Sequence, residues 1–170
     1  MRAIFKGHKY QVNSVAFSPN GRSLVSASSD RSVRIWNTRD GSSKVLPITG
    51  QPEYFFSVAF SPDGRHIAAG NFDNSLWMWD SRTHTLVARW EGHTSDVRST
   101  GFTPDGKGLM SGGSDNTIKY WDVSSLGIRQ GVSTRAADAG GVLEVRRFVG
   151  HDVRRVSPFL TWQMLTEKPS

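Results

Sequence analysis

One period organises this chain. The turn Ser18-Pro19-Asn20-Gly21 recurs as Ser61-Pro62-Asp63-Gly64 and again as Thr103-Pro104-Asp105-Gly106, at spacings of 43 and 42 residues. Trp36-Asn37, Trp79-Asp80 and Trp121-Asp122 repeat at the same spacings, as do Asp30, Asp73 and Asp115. Gly7-His8 returns as Gly92-His93 after 85 residues, which is two periods. Agreement of separate registers on one period makes the chain an array of like units. Each such unit buries its apolar surface only by stacking on a neighbour.

Within a unit the pattern predicts short strands. Val12 to Phe17 alternates apolar and polar residues, and Pro-Asn-Gly then closes a tight hairpin. Ser23 to Ala27 reads as the next strand, and Ser29-Asp30 turns into Ser32 to Trp36. A strand near Lys44 to Ile48 completes the unit, with Ala3 to Lys6 as the same outer strand of a preceding one. Strands this short and this closely spaced predict an all-β propeller.

On these residues the units resemble WD40 repeats, over about residues 1–123 with the outer strand resuming at Leu143–Phe148. The resemblance implies a partial WD40 β-propeller of about three four-stranded antiparallel blades plus an incomplete fourth. The repeats run over about 7–49, 50–91 and 92–125. It also implies a buried hydrogen-bonded tetrad in each blade: His8, Ser26, Asp30 and Trp36 in unit one, and His93, Ser111, Asp115 and Trp121 in unit three. Unit two has Gln51 in the His position and Ala69 in the Ser position, leaving only Asp73 and Trp79. Blade two is therefore expected to rely more on packing.

Ser, His and Asp together invite comparison with a hydrolase triad. The comparison fails on pattern: the trio occurs twice at repeat spacing with Trp as a fourth member, and no serine sits in a Gly-x-Ser-x-Gly elbow. The five histidines, at 8, 66, 84, 93 and 151, show no metal-ligand spacing. Cysteine is absent, which excludes disulfides and thiolate ligands. No phosphate-cradling Gly-x-x-x-x-Gly-Lys loop is present. The expectation is a non-catalytic protein without cofactor or metal. No apolar run approaches the roughly 18 residues of a membrane span, and the N-terminus lacks a secretory signal, so an intracellular address is expected.

The loops that carry the tetrad Asp and open the inner strands share one face of a propeller, where partners of this family dock. Aligning the units makes Gln11, Tyr54 and Asp96 equivalent, likewise Asn13, Phe56 and Arg98, and Ser29, Phe72 and Ser114. Unit two thus places aromatics where its neighbours carry polar or charged side chains. Tyr54, Phe56 and Phe72, flanked by Asn13 and Arg98, are the expected partner-binding patch. The competing expectation folds these rings inward, into space left by the missing His and Ser. Trp77, equivalent to Arg34 and Lys119, is expected to pack between blades.

The order of elements narrows the resemblance. Ile67-Ala68-Ala69-Gly70 stands in a second unit that lacks Gly-His. A third unit follows, then a long Gly/Ser/Ala-rich stretch and Gly150-His151. That order is similar to the fungal Tup-type general transcriptional corepressors. The resemblance implies a nuclear scaffold recruited by DNA-bound repressors and contacting chromatin and its histones, without sequence-specific nucleic-acid binding or membrane attachment of its own. Trp79-Asp80-Ser81-Arg82 supports an alternative, a substrate receptor of a cullin-RING ubiquitin ligase, and a cytoplasmic address is the alternative to a nuclear one. Net charge is +6, and residues 126–170 hold seven of the 21 basic and four of the 15 acidic residues.

Three units do not close a ring, which takes at least about four blades. Open blade faces and edges would then favour self-association. Residues 126–142 are expected to be a flexible insertion, 143–152 the start of a fourth repeat, and 153–170 a non-repeat tail. That tail is read as intron or frameshift product, the alternative being a native basic extension.

Overall fold

The computed structural model describes residues 4–51 and 53–124, together with the backbone of Val142–Leu143. These residues form three four-stranded antiparallel sheets. Blade one comprises β1 (Val12–Phe17), β2 (Ser23–Ser28), β3 (Val33–Asn37) and β4 (Ser43–Val45). Blade two comprises β5 (Phe55–Phe60), β6 (His66–Asn71), β7 (Ser75–Asp80) and β8 (Leu86–Glu91). Blade three comprises β9 (Val97–Phe102), β10 (Gly108–Gly113), β11 (Ile118–Asp122) and β12 (Val142–Leu143). Each is a simple meander in which sequence neighbours pair. This is the partial propeller expected from the period.

The repeated turn sequence makes the first hairpin of each blade. Its glycine takes a left-handed backbone, with φ of 68° at Gly21, 72° at Gly64 and 70° at Gly106, a region costly to residues with a Cβ. The side chain at the head of each turn donates within it: Ser18 Oγ to Asn20 Oδ1 at 2.9 Å, Ser61 Oγ to Asp63 Oδ1 at 2.6 Å, and Thr103 Oγ1 to Asp105 Oδ1 at 2.6 Å. Hydroxyl, proline, Asx and glycine are therefore one closed local unit, which explains their joint recurrence.

Alternation along the strands gives each blade two faces. Val25, Ala27, Val33 and Ile35 of blade one share a buried cluster with Val58, Ile67, Trp77 and Trp79 of blade two. Ala68, Leu76 and Met78 on the opposite face of blade two pack with Val97, Leu109 and Trp121 of blade three. Among the described residues only the middle blade is covered on both sides. Val15, the equivalent of buried Val58, is 58% exposed, and Ile118, the equivalent of buried Leu76, is 69% exposed. Among the described residues the two outer faces of the stack are thus open and apolar.

Blades two and three approach closely at Gly70. A Cβ built there would lie 2.7 Å from the Val97 carbonyl oxygen and 2.8 Å from Val97 Cγ1. Because a backbone atom is involved, the strands themselves must move apart. Gly70→Ala is expected to destabilise the chain by about 1–3 kcal/mol through overpacking, measured by denaturant unfolding. An unchanged midpoint would show that blades two and three do not touch there.

Two strand expectations are corrected. The outer strand of blade one stops at Val45: the Leu46 N–H still reaches the Val33 carbonyl at 2.9 Å, but Pro47 has no N–H to continue the ladder. Ile4 to Lys6, expected as an outer strand, pair with no strand among the described residues. Phe5 instead sets its ring edge-on to Trp36, 5.8 Å between centroids. Val142–Leu143 pair with Tyr120 and Trp121 of β11 as the fourth strand of blade three. The remainder of the expected insertion at 126–142, the rest of the fourth repeat at 143–152 and the tail from Val153 lie outside the described residues.

Candidate functional site

In blades one and three the tetrads close as chains of hydrogen bonds. His93 Nδ1 lies 2.9 Å from Asp115 Oδ2 and Nε2 lies 2.7 Å from Ser111 Oγ, which also accepts the Trp121 indole N–H at 2.8 Å. Blade one repeats this with His8, Asp30, Ser26 and Trp36 at 2.9, 2.6 and 2.8 Å. Asp115 also accepts from the Thr94 N–H and the Thr117 hydroxyl. Burial alone would push the Asp115 carboxyl up, yet the bonds from Thr117, Thr94 and His93 outweigh it and hold the group far below the usual carboxylate range. Asp30 is held down in the same way by Ser32, Lys9 N–H and His8 against the same burial. The glycine before each histidine has a packing reason. A Cβ on Gly92 would meet the Trp121 ring at 2.8 Å, and one on Gly7 the Trp36 ring at 3.1 Å.

This geometry is scaffolding. The Ser111 hydroxyl is buried under the indole it serves, and the His93 side chain is fully enclosed. A nucleophile needs an open approach, and these serines have none.

Blade two solves the missing-tetrad problem in a way the motif alone did not reveal. Gln51 is exposed, and Trp79 has turned its indole N–H to the Pro47 carbonyl of blade one, at 2.7 Å. Trp77 stacks on Trp79 with ring centroids 6.0 Å apart and planes within 14°. Its own N–H donates to Ser75 Oγ at 2.6 Å, and that hydroxyl donates to Asp73. Arg89 takes the place beside the carboxylate that histidine takes elsewhere: it lies 3.3 Å from Asp73 Oδ2 and 5.1 Å above the Trp77 ring. Trp77 is thus packed between blades, as expected. The Arg89 signal was present only as a cation on the neighbouring outer strand, with nothing in its spacing to mark it.

Because Trp77 fills that space, Tyr54, Phe56 and Phe72 stay outside. Tyr54 is 39% and Phe72 44% exposed. Phe72 packs against both Tyr54 and Phe56, 6.0 Å from each, so the three rings form one strip. The inward alternative is therefore set aside. A backbone feature aims the strip: the ladder between the first two strands of each blade skips one residue, and the skipped residues are Asn13, Phe56 and Arg98. Such bulges redirect a side chain out of the alternating pattern.

The three bulge residues then do different things. Asn13 Nδ2 donates to Ser29 Oγ at 3.0 Å and to the Phe55 carbonyl at 2.8 Å, tying blade one to blade two. Phe56 carries the strip toward blade three. Arg98 lays its guanidinium over Phe56 at 4.0 Å, pairs with Asp96 at 2.5 Å and donates from Nε to Ser114 Oγ. At the other end Arg31 lies 5.9 Å from the Tyr54 ring and 3.7 Å from Glu53. Three aromatic rings between two arginines make a surface of the composition found at binding hot spots.

Comparison with known proteins agrees with this architecture. The pattern of the family described as WD domain, G-beta repeat, matches residues 1–37, 43–80 and 84–122. "Ribosome assembly protein 4" of Saccharomyces cerevisiae is 56% identical over 39 residues, 23% of this chain and 8% of that protein. "Pre-mRNA-processing factor 19" of Caenorhabditis elegans is 40% identical over 42 residues, 25% of this chain and 8% of that protein. Both matches span about one repeat. Among solved structures, "Crystal structure of RRP9 WD40 repeats" aligns with a TM-score of 0.69 at 23% identity, covering 72% of this chain and 38% of that one. That likeness is one of fold. The chain spans less than two thirds of each of these relatives.

Proposed function

We propose that this chain, which belongs to the WD domain, G-beta repeat family of protein-interaction scaffolds, grips a partner protein through the Tyr54–Phe56–Phe72 strip. The observation that carries the reading is the half-exposed, contiguous packing of these rings between Arg31 and Arg98. Tyr and Phe contribute large contact area with few rotatable bonds, and arginine contributes directed donors. The open outer faces, with Val15 and Ile118 exposed, are where further blades pack, from this chain or another copy.

The partner reading that the order of motifs supports is a Tup-like corepressor role, nuclear, with DNA-bound repressors and histones as partners. A second reading draws on the names of its relatives, ribosome assembly and pre-mRNA processing, and places the chain in a ribonucleoprotein assembly. One repeat, the span of those matches, carries the scaffold and not the partner. The cullin-RING receptor alternative rests on Trp79-Asp80-Ser81-Arg82, whose Arg82 side chain is exposed.

Affinity capture with the wild type and a Tyr54→Ser/Phe72→Ser variant tests the strip. Loss of about 2 kcal/mol of binding, roughly thirty-fold in affinity, is expected from a hot-spot pair, with folding retained because both rings are already partly in water. A folded variant with undiminished capture overturns the strip. Among proteins lost, sequence-specific repressors favour the corepressor and ribosome-assembly factors the second reading. A cullin adaptor lost only on Arg82→Ala favours the receptor.

A further inference from the structure

A second recess lies away from the aromatic strip, at the end of blade one beside the outer hairpin of blade two. It has a volume of about 820 Å³, and Arg22, Arg39, Lys44 and His84 line it. The three long cations are exposed, and none takes part in an ion pair within 4.0 Å among the described residues. The nearby carboxylates are engaged in their own turns. Asp40 accepts from Asn37 Nδ2 at 3.2 Å and from the Ser42 N–H at 2.8 Å. Asp80 accepts from the Arg82 and Thr83 N–H groups at 2.9 and 2.7 Å.

His84 supplies an independent observation. It ends the β7–β8 turn with φ of 61°, and the equivalent position in blade one is Gly41 with φ of 74°. Both turns close with the same bond, Gly41 N–H to the Asn37 carbonyl and His84 N–H to the Asp80 carbonyl, each at 2.9 Å. A left-handed turn that glycine fills without strain is here filled by a histidine that faces a neighbouring blade's cations. Burial, and then the Lys44 ammonium, push its pKa down. Three cations gathered around one recess without ion-pair partners, with an imidazole beside them, point to a site with an anionic ligand.

We propose that this recess binds the phosphate group of a phosphorylated peptide segment of a partner protein. Arg22 and Arg39 offer planar forks that match phosphate oxygens, and Lys44 and His84 line the same recess. The volume exceeds a phosphate ion several-fold, leaving room for flanking residues. A single-stranded nucleic acid is disfavoured because its bases need aromatic faces to stack on, and the one large ring here, Trp36, is 2% exposed.

The test is calorimetric titration of the full chain with Ala-Ala-phosphoserine-Ala-Ala, its unphosphorylated twin, inorganic phosphate and a uridine decamer. Binding of the phosphopeptide, at least ten-fold tighter than the twin and than phosphate alone, is expected. Arg39→Ala/Lys44→Ala should weaken it at least ten-fold, and Lys107→Ala, an exposed cation of blade three, should leave it unchanged. His84→Gly separates a binding role from a structural one: affinity should fall several-fold while thermal stability holds or rises, since glycine relieves the turn. No phosphopeptide binding, binding indifferent to the double variant, or tighter binding of the decamer each overturns the proposal. Phosphate bound as tightly as the peptide overturns the peptide source.

Discussion

Replacing Trp79 with alanine is expected to destabilise the chain by about 3–5 kcal/mol, the range for deleting a large buried aromatic. The side chain is fully buried and packs with Trp77 and Phe55, 6.0 and 6.3 Å between ring centroids. It also spans two blades, because its indole N–H serves the Pro47 carbonyl. Loss of the ring therefore opens a cavity at the blade-one/blade-two interface and leaves a carbonyl without its donor. Total stabilities of domains are roughly 5–15 kcal/mol, so the variant should be largely unfolded or loosened at 37 °C. Hydrogen exchange localises the damage: β2, β3, β6 and β7 should lose protection together. A drop confined to blade two would mean that the blades fold independently of this contact.

The second large effect lies in the blade-three tetrad. Asp115→Ala removes the acceptor for His93, Thr117 and the Thr94 N–H at once, and about 1.5–3 kcal/mol is expected, the range for hydrogen bonds to a charged group. Asp73→Ala in blade two should cost less, about 1–2 kcal/mol, because the Asp73–Arg89 pair is partly in water. The acid response follows from the same bonds. Asp30 and Asp115 have folded-state pKa values lowered far below the unfolded carboxylate value of about 3.9. Their contribution is fully present above that value and is lost as pH falls through the folded values, so the melting temperature should decline from about pH 4 downward. Asp115→Asn should flatten that decline. Parallel acid limbs for wild type and variant would contradict the assignment.

Much of the fold was legible because repeats state their own periodicity. The hydroxyl-Pro-Asx-Gly turn, the Gly-His pair and the Trp-Asx end of β3, β7 and β11 are each local or nearly so. Each recurs because a local bond or a close glycine–indole contact requires it. The tetrads in blades one and three followed from the family pattern. The repair of blade two did not. Arg89 meets Asp73 from sixteen residues away across a different hairpin, and no motif at that spacing distinguishes it from any other surface arginine.

The patch shows the same division. Unit alignment picked out Tyr54, Phe56 and Phe72, since aromatics stood where equivalent positions were polar or charged. Alignment did not say whether they faced the core or the solvent, because a bulge reverses the alternation that sequence reasoning relies on. Nor did it set Asn13 apart from Arg98. One bulge residue became a tie between blades and the other a lid over a ring, a difference that depends on which acceptors lie across the interface.

By itself, then, the sequence determined the repeat, the blade topology, the turn chemistry and the two complete tetrads, all set by contacts within one unit. Only the tertiary structure decided which faces are covered, how Trp77 and Arg89 replace the missing histidine, that the aromatic strip points outward, and that four basic groups share one recess. Those outcomes depend on side chains from different blades meeting, and proximity across an interface leaves no period in the chain.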